Sequence, residues 1–143
     1  MNRAAIVIIA VCLMPLAHTA DGPAVRFDSS GAICFGDRSL SIAKGHLLYA
    51  VNGKTLIDIF PHWSAPGQSY GEAGYGDAIS EHAFNEASGE FLVRSILPKA
   101  GDARYEIRVS VLPDGLVKYR IVFSELGTIK SKGMQVRFPA TTL

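Results

Sequence analysis

Apolar and polar residues alternate with a period of two through much of this chain, the signature of strands with one buried face. Tyr105, Ile107, Val109 and Val111 form one apolar row, and Glu106, Arg108 and Ser110 point the other way. Pro113-Asp114-Gly115 predicts a turn. The return strand then sets Val117, Tyr119, Ile121 and Phe123 against Lys118, Arg120 and Ser124. A slip of one residue would drive Lys118 and Arg120 into the core, so the register is fixed. Upstream, Val25–Phe27, Ala32–Phe35, Ser39–Ile42, His46–Val51 and Lys54–Phe60 are short apolar runs between turn residues. Asn52-Gly53 joins the last two as a hairpin turn, because both positions must accept positive φ. Val136 and Phe138 add a short apolar face near the C-terminus.

Two segments interrupt the pattern. Asp77–Ala87 fits a three-turn helix capped by Asp77, or a strand turning at Ala87-Ser88-Gly89 into Glu90–Leu97. The strand is preferred, since the extended run after it needs a neighbour. Pro61–Gly76 lacks periodicity and reads as a long loop, of the kind that often holds function. The fold class expected is all-β, an antiparallel two-sheet β-sandwich.

The N-terminus breaks this pattern differently. Met1-Asn2-Arg3 precedes an unbroken apolar run from Ala4 to Met14, then Ala20 and Asp21-Gly22-Pro23. The run is too short for a membrane anchor and fits the apolar region of a helical secretory signal. Residues 1–20 are therefore read as a signal peptide cleaved after Ala20, and residues 21–143 as one β-sandwich domain. The destination is export, periplasmic or extracellular, with no membrane span in the mature chain. The chain stops at Leu143 directly after an expected strand, which predicts a shortened protein or one with a downstream domain.

Composition limits the partners. The chain has 143 residues, 48% hydrophobic and 19% charged, with net charge +1. No basic run offers a footprint for nucleic acid. Cys12 departs with the signal, so Cys34 is left alone, without an internal disulfide partner. Its place in Ala32-Ile33-Cys34-Phe35 predicts a buried, inert thiol.

Candidate chemistry gathers in 61–76. The stretch holds Trp63, the only tryptophan, with Tyr70, Tyr75, His62, Gln68 and Glu72, and Asp77 adjoins it. Flat aromatic faces beside carboxylates and amides suit a sugar ring. A millimolar grip needs only about 4 kcal/mol. These seven residues are the candidate ligand-binding set. The alternative is that the rings fold inward and plug one end of the sandwich.

Catalysis has little footing. Glu72, Asp77, Glu81 and Glu86 are acid–base candidates by type alone. Gly71, Gly74 and Gly76 match no phosphate-binding pattern. His46, His62 and His82 are scattered, so no metal site and no cofactor is expected.

The segment Arg104 to Ala140, with Pro113-Asp114-Gly115, its long return strand, the break at Gly133 and Met134-Gln135-Val136-Arg137-Phe138-Pro139, resembles β-sandwich domains of secreted bacterial carbohydrate-active proteins. These include galactose-mutarotase-like supersandwiches and accessory domains that precede glycoside hydrolase domains. The resemblance implies a polysaccharide or a downstream catalytic domain as partner, and assigns no catalytic residue. Three functions are expected in turn. The first is a non-catalytic carbohydrate-binding or supporting module. The second is a cell-envelope module that holds protein through a sheet edge or the 61–77 segment. The third is a fragment of a glycoside hydrolase or sugar mutarotase.

Overall fold

The computed structural model describes residues 6–11, 25–73, 78–112 and 116–139, with 6–11, 69–70 and 78–80 by their backbone alone. Among these residues, eleven strands build two antiparallel sheets: β1 (Ile6–Val11), β2 (Ala32–Phe35), β3 (Arg38–Ala43), β4 (His46–Val51), β5 (Lys54–Ala65), β6 (Gln68–Glu72), β7 (Ala78–Asn85), β8 (Glu90–Leu97), β9 (Ala103–Val111), β10 (Val117–Glu125) and β11 (Ser131–Arg137). Sheet A runs β1-β10-β9-β8-β7, and sheet B runs β11-β5-β4-β3-β2 with β6 also on β5. The expected two-sheet sandwich is what forms, and Ala78–Asn85 is a strand.

The alternation explains the packing. Tyr105, Ile107, Val109, Val117, Tyr119, Ile121 and Phe123 are buried from sheet A, and Leu40, Ile42, Leu47, Ile59 and Trp63 from sheet B. The return-strand register is as the pattern requires: Tyr119 lies opposite Val109 and Ile121 opposite Ile107. Asn52 and Gly53 take φ of 50° and 74°, the primed turn their sequence predicts.

Three expectations are corrected. Of the apolar N-terminal run, the described residues Ile6–Val11 are extended rather than helical, and pair along β10 from Ile6↔Val122 to Val11↔Val117. Its Ile and Val residues are strand formers. Within the expected 61–76 loop, the described residues 61–73 are regular: β5 continues to Ala65, and Pro66-Gly67 turns it into β6, with Ala65 opposite Gln68. Gly67 at φ 76° after a proline is the pairing a type II turn needs. Pro61 is tolerated mid-strand because β5 leaves β4 after Ile59 and meets β6 only from His62, so no ladder donor is required between them. Cys34, expected in the core, is exposed. It comes directly after buried Ile33, and in a strand the next side chain faces the opposite way.

Candidate functional site

Sheet B turns one face to the core and the other outward, and the outward face holds a polar cluster. A β-bulge builds it. The Asn52-Gly53 turn starts the β4–β5 register at Val51↔Lys54 and Ala50↔Thr55, which without interruption would set Leu47 opposite Asp58. The shift between Tyr49 and Ala50 instead places Leu47 opposite Ile59 and Leu48 opposite Asp58. Leu47 and Ile59 therefore share the core face. His46 and Asp58 share the outer one.

There the His46 ring stacks on Phe60 at 4.6 Å between centroids. His46 Nδ1 lies 2.7 Å from Asp58 Oδ1, and Nε2 lies 2.7 Å from the Ala73 carbonyl oxygen. From β11, Arg137 donates to Glu72 Oε2 at 2.6 Å, approaches Asp58 Oδ2 at 3.7 Å, and sets its guanidinium 4.5 Å above the Phe60 ring. Phe60, although outward on β5, is 0% exposed under this polar cover. The cluster is thus a lid of four charged or titratable side chains on one aromatic ring.

The sequence-predicted residues fall into three groups. His62 and Glu72 are cross-strand partners on the outer face, and both are half-buried. The His62 imidazole spreads across Gly133, where an added Cβ would sit 2.9 Å from Cε1. Gln68 opens β6 and is also half-buried. Trp63 belongs elsewhere: it is 1% exposed, 5.8 Å from the Tyr105 ring, in the interior. The aromatic platform expected around Trp63 is corrected on this point, because Trp63 alternates with outward His62 and Ser64 and so must point in. The side chain of Tyr70 lies outside the described residues, as do Tyr75 and Asp77 entirely.

Sequence reasoning misses His46, Asp58 and Arg137 as partners. The available signal is Leu47 and Ile59, two apolar positions that can share the core only if the hairpin is bulged.

Asp58 and His46 resemble the orienting half of a nucleophilic triad, but His46 Nε2 faces a backbone carbonyl, not a hydroxyl or thiol. As placed, the pair directs neither ring nitrogen at a nucleophile among the described residues. Among the described residues, no group of three or more His, Cys, Asp or Glu is placed to hold a metal ion. No described helix is long and apolar enough to cross a membrane.

Burial, then the nearby oxygens of Tyr105 and Asp58, push the Tyr119 phenol well above its ordinary range. It stays neutral and donates to the Gly45 carbonyl at 2.5 Å. That bond ties the core of sheet A to the β3–β4 turn beside the cluster.

No protein family model matches the chain, and neither a curated protein nor a solved structure shows significant similarity to it.

Proposed function

We propose that this chain is an exported, non-catalytic β-sandwich module that holds a protein or peptide at the β11 edge of sheet B. One observation carries the reading. β11 pairs with β5 on one side, and no described strand lies along its other edge. Val136 is 42% exposed there and Phe138 72%. A strand edge offers backbone donors and acceptors, and apolar residues two apart offer side-chain pockets or plugs. Together these are the elements of recognition by strand addition. Export is supported by the apolar run from Ala4 to Met14 behind Arg3.

The test is photo-crosslinking in the native cell envelope, with a benzophenone side chain at position 138 or, as control, at exposed Lys54. Discrete adducts from position 138 alone, lost on Val136→Lys, are expected. Equal labelling from both positions, or none, would remove the proposal.

A polysaccharide ligand is the second reading. It is favoured by the planar Arg137 guanidinium beside the Glu72 carboxylate on the outer face, a pair suited to neighbouring hydroxyls. Binding by this route would fall on Arg137→Ala and survive Val136→Lys, so isothermal titration with polysaccharides separates the two.

A further inference from the structure

His46 stands between two acceptors. Asp58 Oδ1 faces Nδ1 and the Ala73 carbonyl oxygen faces Nε2, each at 2.7 Å. A neutral imidazole has one N–H donor and one lone pair, whichever tautomer it adopts. One of these two contacts would then set a lone pair against a lone pair. Only the imidazolium donates to both.

We propose that His46 is a proton-dependent clamp: doubly protonated, it ties β4 to β5 and to the chain leaving β6, and the loss of one proton frees the Ala73 end. The direction of release comes from charge. Asp58 is a carboxylate with Arg137 3.7 Å away, so the bond it accepts from Nδ1 stays charge-assisted when the ring is neutral, and is retained. Nε2 is left with a lone pair toward Ala73.

Among the described residues, the charged and titratable groups near the ring are these. Asp58 and, further along, His62 stand on β5; Glu72 on β6 and Arg137 on β11 bond each other; Lys44 is on the adjoining turn. Tyr119 reaches the same turn from sheet A through the Gly45 carbonyl. As pH rises, the proton on His46 is the one whose loss breaks a contact.

The Ala73 amide reports the event, because it donates to the Pro61 carbonyl at 3.2 Å and Ala73 itself is buried. Hydrogen exchange of the full chain, corrected for intrinsic rates, is followed from about pH 5 to about pH 9, the span in which histidines change charge. Protection at Gly71–Ala73 should fall about tenfold relative to β9, the scale of one lost charge-assisted bond. His62→Gln should keep that dependence, and His46→Gln should abolish it. Unchanged protection in the wild type, or a dependence that disappears only in His62→Gln, would overturn the clamp. Ring nitrogen NMR of the wild type decides independently of any variant: both His46 nitrogens must carry hydrogen at the acid end. A single protonated nitrogen there would also overturn it.

Discussion

Trp63 shows how one residue's surroundings decide its role. Its indole packs beside Tyr105 in the interior, and Gly71, its cross-strand partner, has no Cβ because one would collide with the indole Nε1 and Cε2 atoms. Tryptophan and glycine are a matched packing pair. Trp63→Ala should cost about 3–5 kcal/mol in urea unfolding, as expected for a large ring removed from a packed core. Cys34 is the opposite case. Its exposed thiol should react fully with a maleimide in the folded protein at a rate close to that in urea. A native-state reaction that waits for unfolding would contradict its placement. Asp28 belongs to this scale as well: the Ser30 hydroxyl, then the Ala32 amide, bond its carboxylate and hold it below the usual range, closing the turn before β2.

At the scale of strands, the outer face of sheet A is an alternating charge ladder. Arg94 bonds Glu81 on β7 and Glu106 on β9, and Arg108 bonds Glu106 and Glu90 on β8. Burial pushes the Glu106 carboxyl up. The hydrogen bonds and charges of Arg108 and Arg94 together outweigh that and hold it below its ordinary value. A depressed folded value means the ladder's contribution is complete above the pH at which an unfolded glutamate ionises, about 4.3. It disappears as the pH falls through the lower, folded value. Glu106→Gln should therefore flatten the acid limb of stability against pH. At neutral pH it should cost under about 1 kcal/mol, because its partners lie at the surface. Acid titration followed by circular dichroism checks both.

Strands are also where the sequence is most legible. Rows such as Tyr105-Ile107-Val109 and Val117-Tyr119-Ile121 admit one register, and Asn52-Gly53 admits one turn. The failures have physical causes. In β5 the outward Phe60 and the proline at 61 disrupt the alternation that marks a strand, and Pro66-Gly67 is a weaker hairpin signal than Asn-Gly. The His46–Asp58 contact depends on a bulge, and only the joint need to bury Leu47 and Ile59 discloses it. Glu72 is legible as a candidate by its type. Its partner Arg137 is not, since 65 residues of chain separate them and they meet only because β6 and β11 pair on either side of β5.

For the whole molecule, the two sheets differ in how the chain enters them. β7, β8, β9 and β10 form a meander, each pairing with the next. Sheet B has that local order from β2 to β6 and then accepts β11 from the far side of sheet A's meander. The bond between the Ser64 and Ser131 hydroxyls spans 67 residues of sequence. The outer-face cluster is complete only with that last strand, since Arg137 comes with it.

Contacts of such wide separation have a temporal consequence, because loop closure must precede them. On the ribosome, the meander can zip together as it emerges, while β5 waits with one flank bare until synthesis has delivered the stretch from Ser131 to Arg137. A nascent chain halted before that point would be half finished in a particular way: one layer knitted, the other still open to whatever holdase or transport machinery meets it first.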